Sequence, residues 1–109
     1  MKLAKKKKRR EERPKETPLP DEATVLCIVE KLLGGEHFIS RCTDGKTRMT
    51  RIPGRLKRRM WVREGDVVLV APWEMQPDRR GDLIYRYTHD EVRKLIDKGI
   101  LPPELIEGV

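Results

Sequence analysis

Apolar residues are almost absent from the first twenty positions, MKLAKKKKRREERPKETPLP, which also hold three prolines. Such a stretch cannot bury enough surface to offset its ordering entropy, so residues 1–20 read as a disordered basic tail. From Ala23 the pattern changes. Residues 24–33 (TVLCIVEKLL) are β-branched and apolar on both faces, then mixed, as in a strand that begins buried and becomes half exposed. Gly34-Gly35 marks a turn. Residues 37–42 (HFISRC) alternate, with Phe38, Ser40 and Cys42 on one face and His37, Ile39 and Arg41 on the other. Asp44-Gly45 is a strong hairpin signal. Residues 46–52 (KTRMTRI) then form a third strand with an arginine-rich exposed face, ended by Pro53-Gly54.

A short basic segment, residues 55–61 (RLKRRMW), reads as one or two helical turns. Residues 66–71 (DVVLVA) have the continuous apolar character of a central strand. A loop over 72–80 leads to a fifth strand, 81–87 (GDLIYRY), with Leu83, Tyr85 and Tyr87 assigned to one face. Five short strands separated by turns predict a small closed barrel of the OB type. A helix follows. Thr88 and Glu91 have the spacing of a capping box, Val92, Leu95 and Ile96 form an apolar stripe, and Gly99 is a natural stop. Pro102-Pro103 prevents continuation. The expected architecture is therefore mainly β: a five-stranded OB-fold barrel over 21–88, a C-terminal helix and extension over 89–109 packed on it, and the tail.

Charge sharpens this picture. The 109 residues include 25 Lys and Arg against 18 Asp and Glu, a formal net charge of +7. Residues 1–16 hold nine basic and three acidic side chains. Residues 41–63 hold nine basic side chains and one acid, Asp44. The second block falls within the expected barrel, where hot-adapted ion-pair networks could neutralise it only with carboxylates from distant segments. A face that binds nucleic acid is the preferred reading. Arg donates two hydrogen bonds at once to phosphate and stays charged. In OB barrels, strands two and three and the adjoining loops bind oligonucleotides. The positions this selects are Arg41, Lys46, Arg48 and Arg51, continuing through Arg55, Lys57, Arg58, Arg59, Trp61 and Arg63. Lys5, Lys6, Lys7, Lys8, Arg9 and Arg10 supply a second, tail-borne attraction for a polyanion. Trp61 and Trp73 either stack on bases or help to fill the barrel.

Other functions are disfavoured. No apolar run approaches the roughly 20 residues of a membrane span, and none follows the basic start as in a secretory signal. The chain carries no metal-protease, nucleophile-elbow or phosphate-loop motif, and no carboxylate pair suited to metal-assisted hydrolysis is visible. His37 reads as polar surface and His89 as a structural residue at the helix start. The expectation is a chain that is not an enzyme and carries no cofactor or metal. Cys27 and Cys42 read as buried thiols in a reducing cytosol. The absence of Asn and the single Gln suggest a hot-living source.

The run IPGRLKRRMWVREGDVVLVAPWE, followed by GDLIYRY and THDEVRKL, closely resembles the archaeal and eukaryotic translation initiation factor 1A family. The resemblance spans roughly residues 19–105, and the helix after the barrel separates it from the similar but shorter bacterial factor. It implies a cytoplasmic factor, monomeric as far as the sequence indicates, that binds the decoding A site of the small ribosomal subunit through rRNA. It also implies promotion of initiator methionyl-tRNA binding and start-codon selection alongside other initiation factors. The family's basic RNA-facing region matches Arg41, Lys46, Arg48, Arg51, Arg55, Lys57, Arg58, Arg59 and Trp61, positions the charge map had already selected. Eukaryotic members continue into a long acidic tail that is not seen after Pro102-Pro103, which favours an archaeal member. The alternatives are a generic single-stranded RNA binder or RNA chaperone, and a permanent ribosomal protein.

Overall fold

A computed structural model describes residues 17–56 and 62–107, apart from the side chains of Arg55 and Glu107. Five strands, β1 (Val25–Gly34), β2 (His37–Cys42), β3 (Thr47–Arg51), β4 (Val67–Pro72) and β5 (Arg80–Arg86), close into a barrel in the order β1-β2-β3-β5-β4. All neighbours are antiparallel except β3 and β5. This is the expected OB barrel. A single 3₁₀ turn, Gly54–Leu56, follows β3, and two helices, α1 (His89–Asp97) and α2 (Pro103–Glu107), follow β5. The tail positions 1–16 and the segment 57–61 lie outside the described residues.

The alternation in β2 puts Phe38, Ser40 and Cys42 inward, as its sequence implies. They join Cys27, Val29, Val62, Val68, Val70 and Leu83 in the barrel interior. Burying Phe38 alone contributes roughly 1.5–3 kcal/mol. The interior hydroxyls are satisfied: Ser40 Oγ and Thr50 Oγ1 lie 2.8 Å apart across β2 and β3. Gly81 faces the same interior. A Cβ there would sit 2.5 Å from Val70 Cγ1 and 3.1 Å from the Ala71 carbonyl oxygen, so the close approach of β4 and β5 requires glycine.

Three sequence expectations are corrected. Leu83, Tyr85 and Tyr87 do not share a face. The register slips between Leu69 and Val70, with Leu69 opposite Tyr85 and Val70 opposite Leu83, leaving Ile84 as the extra residue of a bulge. Leu83 therefore points into the barrel, whereas Tyr85 and Tyr87 join the apolar cluster beneath the helices.

The assignment of Thr17 to Pro20 to the tail fails as well. Tyr87 Oη donates to the Pro18 carbonyl, and Thr17 Oγ1 donates to Glu91 Oε2 at 3.1 Å. A buried phenol needs an acceptor, and this one draws the chain onto the fold. Burial and the neighbouring Glu91 charge push the Tyr87 phenol well above its ordinary range.

α1 ends at Asp97, with Lys98 as its C-cap and Gly99 in the left-handed region, and Pro102-Pro103 opens a second short helix beyond it. Pro103 occupies the first position of α2, where a missing N–H costs nothing.

Finally, Cys27 and Cys42 form a disulfide. They are direct cross-strand partners in β1 and β2, both buried, so the pairing register brings them together. The thiol expectation rested on a reducing compartment, and intracellular proteins of hyperthermophiles are the exception to that rule.

α1 begins with the capping box its sequence specifies: Thr88 Oγ1 accepts from the Glu91 N–H and Glu91 Oε1 accepts from the Thr88 N–H. Burial pushes the Glu91 carboxyl up. Hydrogen bonds from the Thr88 N–H, Tyr85 and Thr17 outweigh that and hold it below its ordinary value. Leu95, Val92 and Ile96 of α1, with Leu101, Leu105 and Ile106, cover Leu26, Val67, Leu69, Tyr85 and Tyr87. The helices thus cap the β1–β4–β5 side of the barrel. Among the described residues, the outward positions of β2 and β3 stay open to solvent.

Candidate nucleic-acid interface

The open face is laid out in cross-strand rows: His37 opposite Arg51, Ile39 opposite Met49, and Arg41 opposite Thr47. Parallel pairing with β5 adds Arg80 beside Met49 and Asp82 beside Arg51. The face sets half-buried Ile39 and Met49 among cations, and cations of this kind track the backbone of single-stranded nucleic acid.

The predicted basic residues sort into different environments. Arg51 lies on the open face, with Nε 3.3 Å from Asp82 Oδ1 and the other guanidinium edge 3.3 Å from Oδ2. Lys46, at the entry to β3, has Nζ 3.5 Å from Asp78. Arg41 is outward but tethered, reaching Glu30 at 3.4 Å and donating to the Leu105 carbonyl at 2.9 Å. Arg63 is exposed just before β4, its backbone N–H donating to Asp66 Oδ2. Arg55 belongs to the 3₁₀ turn, with its side chain outside the described residues. Lys57, Arg58, Arg59, Trp61 and the tail residues Lys5 to Arg10 lie outside them entirely.

Carboxylates from distant segments thus do reach the block. The exposed pairs involving Arg41, Lys46 and Arg51 span 3.3–3.5 Å. Pairs of this kind contribute roughly 0–1 kcal/mol. A phosphate, which accepts a charge-assisted bond and releases counterions, competes well with them.

Arg48 is different. The sequence reading set it beside Arg51 on an exposed face, but residues three apart on a strand of period two point to opposite faces. Arg48 points inward and is 3% exposed. Its guanidinium donates to both carboxylate oxygens of Asp44 at 3.1 and 2.8 Å, and its Nε donates to the Pro77 carbonyl at 2.6 Å. It therefore clamps the β2–β3 turn to the β4–β5 loop. Hydrogen bonds from Arg48, with the Lys46 N–H adding to them, hold the Asp44 carboxyl below its ordinary range. Arg48→Leu is expected to lower unfolding free energy by about 2 kcal/mol, less than a fully buried pair because Asp44 can recover water. Urea titration checks the loss, and RNA affinity of the folded variant should change less than about threefold. Intact stability with a large loss of affinity would return Arg48 to the binding face.

Trp73 fills neither apolar cluster. It sits half-buried at the start of the β4–β5 loop, its Nε1 donating to Asp82 Oδ1 at 2.9 Å. The guanidinium carbons of Arg51 and Arg80 lie 5.8 and 5.5 Å from its ring centroid. Sequence reasoning missed Arg80 and Asp82. Their place on this face follows from parallel pairing of β3 with β5, about thirty residues apart, and leaves no local signal. Among the described residues, no group of three His, Cys, Asp or Glu side chains converges as a metal site.

Residues 14–108 match the family model described as translation initiation factor 1A / IF-1. The chain is similar to the translation initiation factor 1A of Aeropyrum pernix, at 54% identity over 92% of this chain and 91% of the relative. It is also similar to that of Metallosphaera sedula, at 48% identity over 94% of each. The corresponding protein of Sulfurisphaera tokodaii is 49% identical over 96% of each. The solution structure of a translation initiation factor from a Wolbachia endosymbiont of Brugia malayi matches 66% of this chain and 85% of its own. That match has 21% identity and a TM-score of 0.48.

Proposed function

The chain belongs to the translation initiation factor 1A / IF-1 family, and from that membership we propose that its open β2–β3 face docks on rRNA at the decoding A site of the small ribosomal subunit. The supporting observation is the division of the barrel surface. Helices cover the apolar outer positions of β1, β4 and β5, while Lys46 and Arg51 stand on the uncovered side in weak, exchangeable ion pairs and Arg41 borders it, tied to Glu30 and the Leu105 carbonyl. Arg55, Lys57, Arg58, Arg59, Trp61 and Arg63 continue the basic block in the sequence and are included in this proposal as further phosphate contacts. Docked there, the factor occludes the site and promotes initiator methionyl-tRNA binding and start-codon selection with other initiation factors. It acts by binding rather than by catalysis, as a monomer in the cytoplasm.

Chemical footprinting of small-subunit rRNA, with and without the protein at moderate and high salt, tests this reading. The expected result is localised, saturable protection at the decoding site that fades as salt rises. Diffuse protection would reduce the assignment to general single-stranded RNA binding.

The tail adds long-range attraction. Deleting residues 1–16 is expected to lower affinity and flatten the salt dependence by roughly 0.7 log units per lost phosphate contact. The melting temperature should hold, because the contacts of Thr17 and Pro18 with the fold remain in the shortened chain. A collapse in melting temperature would place the tail within the fold.

A further inference from the structure

Building on the RNA-binding reading, we propose that Trp73 is a stacking platform for one unpaired nucleobase, with Arg51 and Arg80 engaging the flanking phosphates. The indole is not needed to fill the core, since the barrel interior and the helix-covered cluster are built without it. Its orientation is nonetheless fixed twice. Its ring N–H donates to Asp82, and its backbone N–H donates to the Arg80 carbonyl at 3.0 Å, which extends the β4–β5 ladder by one step. The loop beyond closes on itself, with the backbone N–H groups of Arg79 and Arg80 both donating to the Gln76 carbonyl at 3.0 and 2.9 Å. A rigid, half-exposed aromatic ring is what base stacking needs, because little ordering remains to be done on binding.

The two guanidinium groups beside the ring supply the rest. Asp82 is shared between Trp73 and Arg51, so it sets the ring and one cation together. A cation over an exposed aromatic ring gains about 0.5–1 kcal/mol, whereas a stacked base gains about 1–3 kcal/mol. A base can therefore displace a guanidinium from the ring, and the freed Arg retains a phosphate to bind. The occupant is single-stranded RNA, or a looped-out nucleotide of folded RNA. A duplex keeps its bases stacked on each other and offers no free π-face. The β4–β5 loop is also one of the two loops that OB barrels use toward oligonucleotides.

The test measures affinity of the full chain for purified small ribosomal subunits across a salt series, for Trp73→Ala and Trp73→Phe, with far-UV spectra and melting checked for each. Trp73→Ala should weaken binding about tenfold with an unchanged salt slope, because a stacking contact is lost and no phosphate contact is. Trp73→Phe should recover most of the affinity. Wild-type affinity in Trp73→Ala would overturn the proposal. So would a loss accompanied by a shallower salt slope, which would mean that the indole only positions Arg51 and Arg80. So would failure of Phe to rescue. In each case saturable binding by the unmodified chain would leave the RNA-binding reading standing, whereas its absence would remove both.

Discussion

Replacing the disulfide by Cys27→Ala/Cys42→Ala lowers unfolding free energy by about 3 kcal/mol, the expectation for a cross-link closing a loop of this size. For a domain of this length, that corresponds to a fall of roughly 12–24 °C in melting temperature. The link joins β1 to β2 at a register pair, so the unfolded chain loses the freedom to separate the two strands that start the barrel. Both sulfurs are buried, Cys27 at 0% and Cys42 at 2% exposure. Reductant added to the native protein should therefore act slowly, limited by opening of the hairpin. Reductant present during denaturant unfolding should shift the midpoint as the double variant does. Thiol titration in denaturant without reductant should find no free thiol. Two free thiols, or identical midpoints with and without reductant, would restore the buried-thiol reading that the composition first suggested.

The largest effect on binding is expected from Arg58→Glu/Arg59→Glu. Two charge-assisted contacts at roughly 1.5 kcal/mol each amount to about two orders of magnitude in affinity for the small subunit. The repulsion introduced by two carboxylates adds to that loss. The slope of log affinity against log salt should fall by about 1.4, roughly 0.7 for each phosphate contact removed. Far-UV spectra should be unchanged, and filter binding or sedimentation with small subunits measures the loss. Unaltered affinity would remove residues 57–61 from the interface. The charge of the β2–β3 face would then have to carry binding through Arg41, Lys46 and Arg51.

Much of the fold was legible because its signals are local. Alternation in HFISRC identifies the face that carries Phe38, Ser40 and Cys42, and the structure buries those three. The spacing of Thr88 and Glu91 specified a capping box that forms as expected. The continuous apolar run over 67–70 marked a strand covered on both faces, with Val68 and Val70 inside the barrel and Val67 and Leu69 under the helices. Each of these depends on residues within a few positions of one another, so period and turn chemistry suffice.

The misjudged features depend on register or on distant partners. Ile84 slips into a bulge because β4 and β5 must bend as the barrel closes, and that slip separates Leu83 from Tyr85. Arg48 illustrates both kinds of information. Its inward direction follows from period two and could have been read beside Arg51. Its partners, Asp44 and the Pro77 carbonyl, become visible only when two loops meet at one end of the barrel. The charge excess in residues 41–63 correctly marked this stretch as basic, but Asp82, Asp78 and Glu30 come from other strands and loops to orient its side chains.

By itself, then, the sequence determined the barrel class, the capped helix, the two basic blocks and the family. Those rest on composition, periodicity and short spacings, which act along the chain. The tertiary structure decided which cations face solvent, which one braces the fold, that two cysteines meet, and that Arg51 and Arg80 both lie beside the Trp73 ring. Those outcomes follow from strand register and barrel closure, where a shift of one residue reverses every side chain.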